Sequence, residues 1–393
     1  MTVAKSDLYA LSRRGFLASA FGAATVPLLG PVRLEAAQGD NRFIAISLRG
    51  ALDGLDLVQP YGDPAFADLR PDLALSPDDR LIDLDGFFGL HPAAAPLMPL
   101  WQGGELAFVH ATATPYRGGT SHFDGQDVLD AGSLDGRALK SGWLNRSLSL
   151  IPRAGSRKTL DIGMSMGSLL NGPGEVDLWS PAMPLPLAED ELRFLGALYA
   201  SDEGFRSALL ETGDAGPAGG ILDPAGRRAG LADIVTQIGT QLRGDYRIAS
   251  LSLSGWDTHA DQATQFDTAA GDLAAVLTGL KLSLGDAWGS TVVLVQTEFG
   301  RTVRQNATRG TDHGTASVTI IAGGGLAGGR MLGTWPGLGA GQLLDDRDLM
   351  PTTDAREIAA AMLHRQFDIT PANLSAKVFP GLSFDQTSAF LKV

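Results

Sequence analysis

The stretch "TVVLVQTEFGRTVRQNATRGTDHGTASVTIIAG", Thr291 to Gly323, sets a polar segment between two short apolar runs rich in β-branched residues. The runs "TVVLVQT" at 291–297 and "SVTIIAG" at 317–323 read as strands, and the segment between them is either a catalytic loop or a plain polar connection. Four more runs of this kind stand at 42–48, 105–111, 159–164 and 247–253. Helical patterns at 91–102, 191–200, 261–284 and 354–367 alternate with them, each after a cap, a proline or a turn. This alternation predicts an α/β fold: a doubly wound, mostly parallel central sheet with helices on both faces. The Gly- and Pro-rich stretch 211–230 reads as a linker or flexible loop, and the glycine-dense 323–342 as irregular surface chain.

The beginning of the chain reads differently. "SRRGFLASAFGAATVPLLG", Ser12 to Gly30, places paired arginines before a weakly apolar run that is too short and too broken by proline to span a bilayer. It resembles a twin-arginine export signal, with cleavage after Ala36 or Ala37. The expected partner is the twin-arginine translocation machinery, and the expected location is periplasmic or secreted. The expected organisation is a signal at 1–37 and one domain over 38–393, with room for a small cap or flexible insertion near 165–230.

Of the 393 residues, 31 are Lys or Arg and 44 are Asp or Glu, a net charge of −13. Residues 1–37 hold four bases and two acids, so the remainder carries −15, which argues against a nucleic-acid partner. No cysteine is present, which removes thiolate metal sites and cysteine nucleophiles from consideration. No later run reaches membrane-span length without charges, and no fixed-period repeat is visible.

In an open parallel sheet, ligands collect outside the carboxyl ends of the strands. "AISLRGALDGLD" places Asp53 there, as a ligand for a hard cation or as the former of an Asp-Gly turn. "SLSGWDTHADQ" places Asp257 and His259 after a later strand, as metal ligands or as residues preparing a helix cap. "QTEFGR" adds Glu298 and Arg301, the latter as an anion clamp or as a partner for acidic surface, and "TDHG" adds His313. "GGTSHFDGQD" offers Ser121 at a helix start, where a hydroxyl is a nucleophile or an N-cap; Thr120 is the alternative hydroxyl, and His122 reads as an orienting or packing residue. Ligand-type residues therefore gather in four separate strand-end loops.

Taken in order, "RGALDGLDLVQPY", "GLHPAAAPL", "SHFDGQD", "GWLNR", "GWDTHADQ", "TEFGRTVRQN", "GTDHG" and "TTDAREI" resemble the DUF1501 family, exported proteins related to the alkaline-phosphatase-like superfamily. The resemblance implies a parallel sheet with divalent metal (zinc, manganese or magnesium) at its strand ends. It further implies Asp53, Asp257, His259, Glu298 and His313 as metal ligands and Ser121 as nucleophile, with Arg301 near the anion. Phe299 stands where the superfamily has a histidine, the Asp257 to His259 spacing is shorter than usual, and Leu52 and Asp56 alter the family's usual "GGNDGLN". "ATPYR" puts Ala113 where a sulfatase keeps its nucleophile.

These readings imply a metal-dependent hydrolase of small anionic phosphate or related esters. The alternative is a noncatalytic envelope protein that keeps the fold to bind a partner. For export, replacing Arg13 and Arg14 with Lys is expected to hold the precursor inside the cell, because the pair is read by a receptor and not merely as positive charge. Cell fractionation checks this, and unchanged export would rule out the twin-arginine route.

Overall fold

In the computed structural model, which describes residues 40–117, 119, 121–134, 139–151, 158–163, 166–180, 224–385, 387–388 and 390, the first strand shows why a sheet forms. Strand β1 (Arg42–Arg49) is buried along nearly its whole length. Because side chains alternate along a strand, Ile44, Ile46 and Leu48 enter one apolar cluster while Phe43 and Ala45 enter another. The expected export segment at 1–37, Thr120 and the helical pattern at 191–200 lie outside the described residues.

Two tiny strands, β2 (Val58–Gln59) and β3 (Ile82–Asp83), both pair with β4 (Gly89–Leu90) in a small antiparallel sheet. The main sheet takes β5 (Leu106–Ala113), β6 (Lys158–Ile162), β7 (Asp177–Trp179), β8 (Tyr246–Ser254), β9 (Thr291–Thr297), β10 (Ser317–Ala322) and β11 (Arg330–Leu332). Among the described residues it has nine strands in the order β11-β5-β10-β9-β1-β8-β6-β7, with β12 (Thr353–Asp354) added beside β5. β1 runs parallel to both β8 and β9, and only β10 opposes its neighbours. The reason for that exception is local. The chain from β9 to β10 has no crossover helix and doubles back, so the two strands meet antiparallel.

Helices α1 (His122–Ala131) and α2 (Trp143–Leu148) precede the long α3 (Pro224–Arg243) and α4 (Gln262–Leu284), and α5 (Ala355–Phe367) follows the last strands. Leu273, Val276, Leu277 and Leu280 of α4 cover the sheet face that carries Ile44 and Val293, whereas Ile358, Met362 and Phe367 of α5 cover the face that carries Phe43 and Val292. Two sequence expectations are corrected here. The end of the 211–230 stretch, from Pro224 where the described residues resume, is helical. The 323–342 stretch is not wholly irregular, since Arg330–Leu332 pairs with β5.

After β1 the chain turns sharply. Gly50 has φ +116°, and a Cβ on it would stand 2.7 Å from the Asp257 backbone nitrogen, so only glycine lets the β1 and β8 loops approach this closely. The Asp53 carbonyl then accepts from the Asp56 and Leu57 amides at 3.1 Å, starting a single helical turn at Gly54–Leu57. Both carboxylates of this turn are buried. Asp53 Oδ2 takes Arg70 Nη1 at 2.8 Å and Gln262 Nε2 at 2.7 Å, and Asp56 takes Gln262 Nε2 at 2.7 Å and Gln59 Nε2 at 2.9 Å. Arg70, itself fully buried, also donates to the carbonyls of Thr302 and Val303, and so ties the β1 turn to the loop after β9.

Burial first, and Asp53 next, push the Asp56 carboxyl up to about 7 against the hydrogen bonds from Gln262 and Gln59 and the charge of Arg70. The folded chain thus holds a proton that the unfolded chain, at its ordinary 3.8, has lost. Stability from this group falls as pH rises through the window between those two values. Asp56→Asn is expected to flatten that slope. Melting temperatures taken from pH 4.5 to 7.5 check it, and an unaltered slope in the variant would assign the titration to another group.

Candidate metal centre

Two loops and one helix start bring the site together. Asp257 and His259 follow β8, Glu298 and Arg301 follow β9, His313 precedes β10, and His122 opens α1. The two ends of the β9–β10 loop are stitched by an antiparallel bridge between Arg301 and His313. Gly300 permits this, because a Cβ there would lie 1.9 Å from the Ala316 carbonyl oxygen.

Arg301 is 1% exposed and is held entirely by protein acceptors. Its Nε donates to the Ala51 carbonyl at 2.9 Å and its Nη1 to that of Thr311 at 3.0 Å. Its Nη2 donates to the carbonyls of Gly50 and Trp256 and, at 2.6 Å, to Asp257 Oδ1. The side chain expected as an anion clamp therefore has no donor directed at solvent; it positions Asp257 and the loops around it. Burial disfavours the charged form of Asp257, yet hydrogen bonds from His313 and Arg301 and the charges of Arg301 and His259 hold its carboxyl down at about 2.

Around that one oxygen stand three imidazoles. His259 Nε2 is 2.9 Å from Asp257 Oδ1, His313 Nε2 is 3.0 Å from it and His122 Nε2 is 3.5 Å from it. His259 Nε2 and His313 Nε2 are also 3.0 Å apart. His122 is fixed from behind: its Nδ1 lies 2.9 Å from Oε1 of the fully buried Glu298, so Nδ1 carries the proton and Nε2 presents a lone pair. That Nε2 is buried and has no hydrogen-bond partner among the described residues. Phe299 stacks on the His122 ring at 5.1 Å between centroids and 26° between planes, so the residue at the expected histidine position braces a ligand-type side chain instead.

Lone pairs of neutral imidazoles and a carboxylate repel at these distances unless protons or a cation lie between them. A tetrahedral ion bonded at about 2.0–2.1 Å to nitrogen and oxygen holds its ligand atoms roughly 3.3 Å apart. The observed separations of 2.9, 3.0, 3.0 and 3.5 Å bracket that figure. His122, Asp257 and His313 also present one ligand atom each within 4.8 Å of one another. Glu298 behind His122 is the carboxylate that metal-binding histidines usually have at their far nitrogen. Burial raises the Glu298 carboxyl, but hydrogen bonds from its own amide, Gly50, His122 and Gln126 outweigh this and keep it below the ordinary range.

The structure thus gathers Asp257, His259 and His313 directly and Glu298 through His122. Asp53 is not in the cluster: Arg70 and Gln262 occupy its Oδ2. Ser121 is the N-cap of α1, its Oγ accepting from the Asp124 amide at 3.3 Å, and it adjoins His122 in the chain. His122 is the member that reads from the sequence as an orienting or packing residue and not as a ligand. The available signal was its position, at a helix start in a glycine-rich loop beside the same sheet edge as the other ligand-type residues.

Residues 240–379 match the family described as "Protein of unknown function (DUF1501)". No curated protein matches the chain. Among solved structures the chain is similar to Ps i-CgsB in complex with k-i-k-neocarrahexaose, at 10% identity over 87% of this chain and 75% of that one, with a TM-score of 0.43. It is also similar to PsFucS1 sulfatase from Pseudoalteromonas sp., at 13% identity over 92% and 74% with a TM-score of 0.42. A third is alkaline phosphatase from the Antarctic bacterium TAB5, at 11% identity over 72% and 91% with a TM-score of 0.33. The segment matched by the family runs from before β8 to beyond α5, so it contains Asp257, His259, Glu298, Arg301 and His313 and leaves Asp53, Ser121 and His122 outside it.

Proposed function

We propose that this chain is an exported, metal-dependent hydrolase of phosphate or related esters. The observation that carries the reading is the convergence of three imidazole nitrogens on one carboxylate oxygen at the carboxyl end of a largely parallel sheet. His122, Asp257, His259 and His313 would hold the ion, with Glu298 orienting His122 and Arg301 orienting Asp257. A divalent ion bound there supplies Lewis acidity to an ester oxygen and offsets the charge that develops on it. The side chains of Asp257 and His259 are 49% and 44% exposed, which leaves an approach for substrate from solvent.

Ser121 is the hydroxyl that this reading assigns as nucleophile. It caps a ten-residue helix whose dipole and free amides favour negative charge on its oxygen, and the cap bond uses one of the hydroxyl's two lone pairs. In this reading Ser121 Oγ bonds to the ester centre as the bond to the leaving oxygen breaks, the hydroxyl proton ending on that oxygen as an alcohol, and water then cleaves the Ser121 ester, releasing the acid and restoring the Ser121 hydroxyl. A noncatalytic binding protein is the second reading. It draws on Phe299 and on the internal pairing of Asp53 with Arg70, both of which remove ligands that a two-ion site would use.

Metal content separates structural from functional roles. The purified protein is expected to carry about one equivalent of divalent metal, lost in the His259→Ala, His313→Ala double variant. Glu298→Gln, which removes the charge behind His122, should weaken metal affinity about 10- to 100-fold. Elemental analysis after dialysis provides the test; equal content in wild type and double variant would sink the ligand assignment.

A screen over phosphate mono- and diesters with several divalent metals tests turnover. Ser121→Ala should cost about 0.5–2 kcal/mol of stability through the lost cap and, beyond that, abolish turnover. Ser121→Asp keeps a capping oxygen but not the nucleophile, so a folded and inactive protein is expected. Wild-type turnover in the Asp variant would remove Ser121 from the mechanism and make Thr120 the next residue to substitute.

A further inference from the structure

A second polar assembly lies along the same sheet edge. Deeper in the sheet, the face of β1 and β8 that carries Phe43, Ala45 and Ile248 is apolar core. Toward the carboxyl ends that face changes character. On β1 it continues with Ser47 and Arg49, on β8 with Ser250 and Ser252, and on β6 with Asp161, and the register places Ser47 beside Ser252 and Ser250 beside Asp161. These five side chains line a cavity of about 220 Å³. Strand ends that served only the fold would not need five polar groups directed into one space.

The groups are fixed rather than loose. Ser47, Asp161 and Ser250 are all at least nine-tenths buried. Asp161 accepts from the Ser250 hydroxyl and from the Gly167 amide, and has no cationic partner among the described residues. Arg49 binds Asp130 at 2.8 Å through Nη2 and Ser252 at 3.3 Å through Nε, and its Nη1 has no acceptor among the described residues.

The charges select the occupant. A bare anion entering here would meet the Asp161 carboxylate, with only a guanidinium already paired to Asp130 in its favour. A cation would face Arg49. A hydroxyl both donates and accepts, so it can give a proton to Asp161 and take one from Arg49 or a serine. Leu169, from the apolar cluster on this face, adds an apolar surface beside the polar one. The volume equals roughly seven waters at about 30 Å³ each, on the order of one sugar ring. We infer that this cavity binds a neutral monosaccharide unit. It is separate from the metal centre: Asp130, which holds Arg49, lies eight residues beyond His122 on α1, about 12 Å at 1.5 Å per residue. The inference stands whether or not the metal centre turns over an ester.

Titration calorimetry of the purified protein with D-glucose, D-galactose, D-mannose and N-acetyl-D-glucosamine tests it. At least one sugar should bind saturably in the millimolar range or tighter. Ser252→Phe, at an exposed position where a large side chain fills the cavity without disturbing the core, should weaken that binding at least tenfold, and Asp161→Asn should do the same. Inorganic phosphate and methylammonium should not displace the sugar. The inference is overturned if no sugar in the panel binds, if binding survives Ser252→Phe, or if phosphate competes, which would make this an anion site. Binding lost in His313→Ala but kept in Ser252→Phe would place the sugar at the metal centre and overturn it equally.

Discussion

Everything in the candidate site hangs on the Arg301 guanidinium. It is buried among the carbonyls of Gly50, Ala51, Trp256 and Thr311, which belong to three different loops, and its remaining contact is Asp257. The Gly50 and Ala51 carbonyls follow β1, that of Trp256 follows β8 and that of Thr311 lies in the β9–β10 loop, and a planar cation with five N–H groups in fixed directions reaches all four at once. A lysine has three donors from a single point and cannot span them. Once the loops are locked, the position of Asp257 follows, and the imidazoles that approach its oxygen are placed by the same framework.

The imidazoles are directed by their surroundings as much as by their own chain. His122 is held at Nδ1 by Glu298 and on its ring face by Phe299, and Glu298 is in turn held by the Gly50 amide and Gln126. The order of dependence runs inward from backbone to carboxylate to imidazole. It explains how a sheet edge exposed to solvent keeps three imidazole nitrogens around one carboxylate oxygen, an arrangement that side-chain entropy alone would disperse.

Much of the scaffold was legible in the sequence, and the reason is periodicity. The run 291–297 coincides with β9, and 261–284 differs from α4 by one residue, because strands buried on both faces and long helices leave continuous patterns. Asp257, His259 and His313 were legible as candidates because each sits at a strand end. The partners were not legible. Asp53 read equally as ligand or turn, and the residues that decide the matter, Arg70 and Gln262, lie 17 and 209 positions away. His122 beside a helix N-cap carries no local mark that separates packing from ligation. The antiparallel direction of β10 likewise depends on the path of a polar loop and not on the composition of the strand.

The two buried arginines also limit what the site can hold. Asp53 and Asp257 are both carboxylates at strand ends and both are paired with a guanidinium, yet the pairs differ in exposure. The Asp53 and Arg70 side chains are each 0% exposed, so that pair is sealed and its charge is neutralised inside the protein. Separating it to admit an ion would leave Arg70 buried without a counter-charge, at a cost of about 3–5 kcal/mol by comparison with other broken buried pairs. Asp257 keeps 49% of its side chain open while Arg301 binds it from the inner side. A cation approaching from solvent therefore meets Asp257, whose Oδ1 also takes Arg301 Nη2 at 2.6 Å, together with the histidines around it. The same approach toward Asp53 is closed, and among the described residues one group, His122, Asp257 and His313, brings ligand-type atoms within 4.8 Å of one another.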